Sequence, residues 1–89
     1  MLIQNNVEKY RKAILGKLYR HRYIGGRHTS MDNVSKGFPK NERKNIEKAL
    51  KSLVKEDYIL PKPTSYGTEI CLNPRKIKEI RKIIDINDD

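Results

Sequence analysis

The tripeptide Gly37-Phe38-Pro39 constrains the fold most strongly, because it separates two segments with helical character. Proline at position 39 disfavours helical geometry at Phe38, and glycine at position 37 suits the end of a helix. Proline is nevertheless well tolerated in the first turn of a helix, so a new helix can begin directly after the turn. The sequence therefore predicts a short helix over about residues 30–36 and a longer one over about residues 39–57.

A helix is also predicted before this pair, over about residues 7–21, with Asn5 or Asn6 as its cap. Its apolar positions recur every three or four residues, at Val7, Tyr10, Ile14 and Leu18. The polar run 25–39 follows, and in it Thr29 and Asp32 have the spacing of a capping box. We therefore expect the run to connect two helices, with Thr29 or Ser30 as the cap of the second.

The hydrophobic pattern changes after residue 57 to two short β-type runs, at 58–60 and 68–72. Pro61, Pro63 and Gly67 lie between them as turn and edge residues, which predicts a hairpin with a lysine-bearing tip. Asn73 and Pro74 then have the order of an N-cap and a first helical residue. They predict a final helix with its apolar face formed by Ile77, Ile80, Ile83 and Ile84, followed by an acidic, frayed tail at 85–89.

Net charge restricts the class of partner. The chain of 89 residues has 20 Lys plus Arg against 11 Asp plus Glu, a formal charge of +9. Such an excess repels itself in a compact state unless an acidic partner binds, and nucleic acid is the first candidate. The N-terminal segment has no strongly apolar helix face, lipidation motif or secretory h-region, so we expect no membrane binding. The chain is expected to be a single domain, 1–89 with an ordered core at about 7–84, and cytoplasmic.

The third predicted helix separates its charged and apolar residues. At about 100° per residue, five lysines lie on one side of it: Lys40, Lys44, Lys48, Lys51 and Lys55. The apolar residues lie opposite, at Ile46, Ala49, Leu50, Leu53 and Val54. Asn41, Asn45 and Ser52 border the lysines, and Glu47 is the one acid beside them. Solvated helix faces usually mix lysine with glutamate, so this separation favours a binding surface.

The segment "NIEKALKSLVKEDYILPKPTSYGTEICLN" is similar to the recognition-helix, strand, wing, strand segment of winged-helix regulators. The chain most resembles small basic winged-helix proteins of archaea, over about residues 7–84. This resemblance implies an α+β, winged helix-turn-helix fold with a three-helix core, a small antiparallel sheet with its wing hairpin, and a C-terminal helix. It also implies a short strand at 27–29 that pairs with the hairpin.

The resemblance implies that the third helix lies in a DNA major groove. The residues carried over as contacts are Lys40, Asn41, Lys44, Asn45, Lys48 and Lys51 on that helix, Lys62, Thr64, Ser65 and Tyr66 on the wing, and Arg27 and Thr29 near the second helix. Thr64 and Ser65 are equally well explained as turn residues, and Tyr66 by packing on the hairpin. Because lysine dominates where specific readers use arginine, we expect strong electrostatic affinity and modest specificity.

The sequence therefore predicts a nucleic-acid-binding protein without catalytic activity, most consistent with duplex DNA. It would be a transcription regulator or a chromatin-type, nucleoid-associated protein. An RNA-binding factor stays open, because neutralising phosphates does not distinguish the two polymers, and so does a protein-interaction module. A homodimer through Val7, Tyr10, Ile77, Ile80 or Ile84 is also left open.

Cofactor and metal chemistry find no support in the motifs. The run 25–39 lacks the spacing of a phosphate-cradling P-loop, and the two histidines and one cysteine have no metal-ligand spacing. Cys71 cannot form an internal disulfide and is expected to face outward as an unreactive strand residue. No cofactor is therefore expected.

Overall fold

The computed structural model describes residues 4–85, which form an α+β fold with four helices and a three-stranded antiparallel sheet. The helices are α1 (Gln4–Arg20), α2 (Met31–Lys36), α3 (Arg43–Lys55) and α4 (Ile77–Ile83). The strands are β1 (Thr29–Ser30), β2 (Ile59–Thr64) and β3 (Gly67–Leu72). Short 3-10 turns at Lys40–Glu42 and Pro74–Lys76 lead into α3 and α4. The sheet order is β1-β3-β2, an arrangement compatible with a winged helix.

The core lies between α1, α3 and the sheet. Its fully buried side chains are Ile14, Leu15 and Leu18 of α1, Ile46, Leu50 and Leu53 of α3, Ile59, Ile70 and Leu72 of the sheet, and Ile80 of α4. The helical spacing predicted most of these positions, but Val7 is exposed. Tyr10 and Ile80 are buried, and Ile77 and Ile84 pack against the core. Four of the five side chains considered for a dimer are therefore used within one copy of the chain.

The predicted cap of α1 is wrong, whereas at α2 one of the two expected caps, Ser30, is confirmed. Helix α1 already includes Asn5 and Asn6. At α2 the cap is Ser30, whose hydroxyl accepts a hydrogen bond of 3.2 Å from the amide of Asn33. Because this cap lies one residue later than the predicted box, Asp32 does not belong to it and instead pairs with Lys36 at 3.2 Å.

The connection between α2 and α3 is longer than predicted. Its first residues after Pro39 form a 3-10 turn, so α3 proper begins only at Arg43. Gly37 has an ordinary φ of −74° and is not needed for a left-handed conformation. Instead, the ammonium of Lys17 lies 5.3 Å from the ring centroid of Phe38, and a Cβ on Gly37 would meet its Nζ. The glycine therefore leaves room for a lysine of α1.

The hairpin has longer strands and a shorter turn than predicted. Pro61 and Pro63 lie inside β2, and Ser65 and Tyr66 alone form the turn. Strand β2 is at the edge of the sheet, where a residue without an N–H group is tolerated. Lys62 pairs with Glu69 within the strands, so the predicted lysine-bearing tip is wrong. The short strand β1 pairs with β3 as the resemblance implied, although it lies at 29–30 and not at 27–29.

The two ends of β3 differ in exposure. Ile70, Cys71 and Leu72 are all buried, so the expected outward orientation of Cys71 is wrong. Burial raises the pKa of the Cys71 thiol, which makes its reactive thiolate scarcer. The strand begins exposed at Gly67 and is covered only toward its end, so alternation along the strand does not describe it.

The C-terminal segment begins as predicted, because the side chain of Asn73 accepts a hydrogen bond of 3.0 Å from the amide of Arg75. The predicted frayed tail lies outside the described residues except for Asp85, which pairs with Lys12 at 2.7 Å. Among residues 4–85, no helix is long and apolar enough to cross a membrane.

A buried arginine ties α1 to the end of α3. The guanidinium of Arg11, 8% exposed, donates to both carboxylate oxygens of Glu56 at 2.8 and 3.2 Å and also to the hydroxyl of Ser52. Ser52 therefore contacts α1, and its hydroxyl, which was predicted to border the lysines, accepts a hydrogen bond from Arg11. The hydrogen bond from Arg11 lowers the pKa of Glu56 and raises the pKa of Arg11. The pairing fixes the C-terminal end of α3 against α1.

The substitution Glu56→Gln is expected to destabilise the protein by about 1 kcal/mol at neutral pH, a modest cost because the glutamate is half exposed. The native state binds the Glu56 proton less tightly than the unfolded state, so this contribution is complete above the ordinary pKa of 4.5 and is lost as the pH falls through the lower folded-state pKa. Urea unfolding from neutral pH to about pH 3 would measure the difference between native and variant.

Glu79→Gln is the matched control, since Glu79 is exposed on α4 and has no ion pair in the described part of the chain. The account of the Arg11 pairing is contradicted if the cost of Glu56→Gln is the same at acidic and neutral pH, or no larger than that of the control.

Candidate nucleic-acid interface

Five lysines form what we name the lysine face: Lys40, Lys44, Lys48, Lys51 and Lys55. Burial of Ile46, Ala49, Leu50 and Leu53 fixes the rotation of α3, and the four lysines on α3 itself consequently point to solvent. Lys40 and Asn41 are exposed on the preceding 3-10 turn, and Asn45 is exposed on α3. The predicted contacts of the third helix are therefore all accessible, although two of them lie outside the α-helix.

No lysine of this face takes part in an ion pair within residues 4–85. The pairs present there join Arg11 to Glu8 and Glu56, Lys12 to Asp85, and Lys36 to Asp32. Ion pairs between exposed lysines and glutamates one turn away usually stabilise a helix slightly, and the lysine face has little of this stabilisation. Its positive charge stays available to an external anion.

The hairpin tip is organised by one hydroxyl group. Thr64 Oγ1 donates to the carbonyl of Gly67 at 2.7 Å and accepts from the amide of Tyr66 at 3.1 Å. The turn interpretation of Thr64 is therefore correct, and its hydroxyl is already engaged. Tyr66 is 99% exposed, so its interpretation as a packed residue is wrong. Ser65 is also exposed, which leaves the tip free to touch a partner, and Lys62 is exposed within β2.

An acidic groove of about 520 Å³ lies between α2, α3 and the hairpin. Asp32, Glu47 and Glu69 line it, with Lys51 as its one basic residue. Sequence reasoning found only Glu47, because the other two acids come from elements far apart in the chain. The groove places negative charge between the lysine face and the hairpin tip. A polyanion that bridges the two surfaces would meet repulsion there.

Arg27 and Thr29 lie apart from this groove. Arg27 is exposed, with its guanidinium carbon 5.6 Å from the ring centroid of Tyr23. Thr29 pairs with Ile70 in the sheet and lines a second, smaller cleft together with Lys17. The structure therefore does not join these two predicted contacts with Lys51 and Tyr66 in a single concave site.

Arg43 is a basic residue that sequence reasoning missed. It opens α3 and is half buried, and its Nε atom is buried without a hydrogen-bond partner in the described part of the chain. On the helical wheel Arg43 falls toward the apolar side, which hid it among core positions. Arg43 therefore adds a partly buried cationic residue at the start of α3.

No cluster of histidine, cysteine, aspartate or glutamate side chains in residues 4–85 is arranged to hold a metal ion. Comparison of the chain with protein-family models, with curated proteins and with solved structures finds no match. The function is therefore inferred from the geometry and the charge of the protein itself.

The hairpin tip yields a direct test of its backbone. Gly67 has a φ of +132°, where a Cβ is strained, although no atom lies within 4 Å of the place a Cβ would occupy. We expect Gly67→Ala to destabilise the protein by about 1 kcal/mol through backbone conformation alone. Thermal unfolding would measure this change.

Gly26→Ala is the matched control, because Gly26 has equally open surroundings and no such φ. Its replacement is expected to be neutral or slightly stabilising. Equal effects of the two substitutions would contradict the assigned tip conformation.

Proposed function

We propose that this protein binds duplex nucleic acid, with DNA favoured, and acts as a transcription regulator or a chromatin-type protein without catalytic activity. The observation that carries the proposal is the lysine face: exposed lysines, with no ion pair to any other residue in 4–85, on one side of a helix whose opposite side is buried in the core. A rigid helix that presents unpaired positive charge suits a groove lined by phosphates.

The order of elements supports a winged-helix interpretation of the same surface. Helices α2 and α3 are joined by the turn at Gly37–Pro39 and the 3-10 turn at Lys40–Glu42, in the order of the two helices of a helix-turn-helix, and β2 and β3 would form the wing. In this arrangement α3 enters the major groove, where Asn41 and Asn45 would pair with adenine and the lysines with phosphates. Ser65 and Tyr66 at the hairpin tip would contact the backbone or the minor groove.

Duplex is favoured over single-stranded nucleic acid because single strands are usually held by several aromatic rings that stack on successive bases. Tyr66 is fully exposed at the hairpin tip, whereas Tyr10 is buried and Tyr19, Tyr23 and Tyr58 are partly buried against the core. Among the tyrosines of residues 4–85, Tyr66 is thus the one whose ring is fully exposed for stacking on a base. Lysine in place of arginine on the lysine face further favours phosphate contacts over base-specific ones, so modest sequence specificity is expected.

The proposal is tested by fluorescence-anisotropy binding to mixed-sequence duplex DNA, duplex RNA and single strands. The native protein is compared with Lys44→Glu/Lys48→Glu/Lys51→Glu and with a matched control, Lys9→Glu/Lys78→Glu/Lys82→Glu. The control changes the net charge equally at exposed lysines of α1 and α4. Circular dichroism checks that both variants are folded.

We expect tight binding of the native protein to duplex DNA, weakened about a thousandfold or more between ~50 and ~200 mM salt. The variant on the lysine face should lose nearly all of this affinity, and the control only part of it. Absence of duplex binding, or equal losses in the two variants, would overturn the proposal. Preference for duplex RNA would assign the same surface to the other polymer, and a stable complex with an acidic protein alone would indicate an interaction module.

The acidic groove generates a separate prediction. Glu47→Gln removes one carboxylate beside Lys51 and should raise the affinity for duplex DNA about fivefold, the equivalent of one close charge interaction in water. The same anisotropy titration would measure it, with Glu79→Gln on α4 as the control. An affinity that is unchanged or lower would contradict the inference that the groove repels the polyanion.

A further inference from the structure

A small cleft of about 200 Å³ lies at the end of α1 and shares no lining residue with the acidic groove. Its lining includes Tyr23 and four further side chains with hydrogen-bonding groups: Lys17, His21, Thr29 and Asn33. They supply an ammonium, an imidazole, a hydroxyl and an amide, all of which are able to donate a hydrogen bond. None of the lining residues is acidic. The cleft is therefore chemically suited to an oxyanion.

Two cations beside this cleft are positioned by aromatic rings. Lys17 lies 5.3 Å from the ring centroid of Phe38, and Arg27 lies 5.6 Å from that of Tyr23, itself a lining residue. A ring attracts a cation without neutralising its charge, in contrast to a carboxylate. Neither cation joins the ion pairs formed within residues 4–85. Both positive charges are therefore oriented and still available.

The size and position of the cleft narrow the choice of anion. A volume of about 200 Å³ is roughly that of seven water molecules, enough for a phosphate group but below the ~300 Å³ at which drug-sized ligand pockets begin. Phe38 lies in the turn that leads to Lys40, so the Lys17 ammonium is next to the start of the lysine face.

We infer that this cleft binds a backbone phosphate of the same nucleic acid that contacts the lysine face. The inference rests on the proposed function and extends the contact surface to α1. A strand that follows α3 would continue past the turn at Gly37–Pro39 and place a phosphate among Lys17, His21 and Asn33. This would add a cationic contact in a cleft that shares no lining residue with the acidic groove.

The first test measures how the affinity for a short mixed-sequence duplex DNA depends on salt in the native protein, Lys17→Met and Lys9→Met. Methionine keeps an unbranched apolar stem over Phe38 and removes the charge. Lys9 is an exposed lysine of the same helix, about 12 Å away along the axis, which exceeds the screening length of about 8–10 Å near physiological salt. We expect the slope of log affinity against log salt to fall in magnitude by about 0.9 for Lys17→Met and to stay native for Lys9→Met.

A second variant guards against misfolding. Asn33→Asp places a carboxylate in the cleft, and its position in the first turn of α2 is one where an acid favours the helix. It should weaken duplex binding roughly fivefold without loss of stability. In parallel, inorganic phosphate titrated into the ¹⁵N-labelled native protein should shift the amide resonances of His21, Thr29 and Asn33 saturably, and should not do so in Lys17→Met.

The outcomes separate the cleft from the proposed function. A native slope for Lys17→Met together with native affinity for Asn33→Asp overturns the cleft and leaves the lysine face intact. Absence of duplex binding by the native protein overturns the proposed function, and with it the nucleic-acid source of the phosphate. Shifts with inorganic phosphate in that case would mean a site for small phosphate ions only, which also overturns the inference.

Discussion

The packing of α3 against α1 and the sheet determines which residues of α3 are exposed to a partner. Ile46, Leu50 and Leu53 are fully buried, so the helix has one allowed rotation, and Arg11 holds its C-terminal end through Glu56. With the rotation fixed, the lysines face outward together. Arg11 is buried in this packing, and a buried charge requires hydrogen bonds in place of water. The carboxylate of Glu56 and the hydroxyl of Ser52 accept those hydrogen bonds from the guanidinium. The lysine face is thus a consequence of what the core requires.

The distribution of acids is as informative as that of the lysines. Within residues 4–85, the acids that form ion pairs do so with basic residues outside the lysine face: Glu8, Glu56, Asp32 and Asp85. These pairs do not neutralise the lysine face. Asp32, Glu47 and Glu69 line the acidic groove. A bound polyanion would therefore be directed toward the outer side of α3 and the hairpin tip and away from the groove. The same division makes the cleft beside Lys17 a favourable continuation of the surface.

The sequence predicted the parts of this account that depend on local periodicity. The order of elements follows from the hydrophobic period of each segment. The buried side of α3 and its exposed lysines follow from the spacing along that helix. The start of α3 at Arg43 and the burial of Cys71 were not predicted, because spacing along one segment does not reveal how distant segments pack. The acidic groove and the Arg11–Glu56 pair were likewise invisible, because their members come from different elements. The sequence allowed Tyr66 either to pack on the hairpin or to contact a partner, and the turn geometry places its side chain in solvent.

The most direct measurement is a backbone amide map of the ¹⁵N-labelled protein as a short duplex DNA is added. The account predicts the largest resonance shifts at residues 40–55 and 64–67, with smaller ones around Lys17, Asn33 and Arg27, and little change along α4. Shifts confined to α4 and the outer side of α1, or none at saturating duplex, would contradict the claim that the lysine face is the nucleic-acid interface.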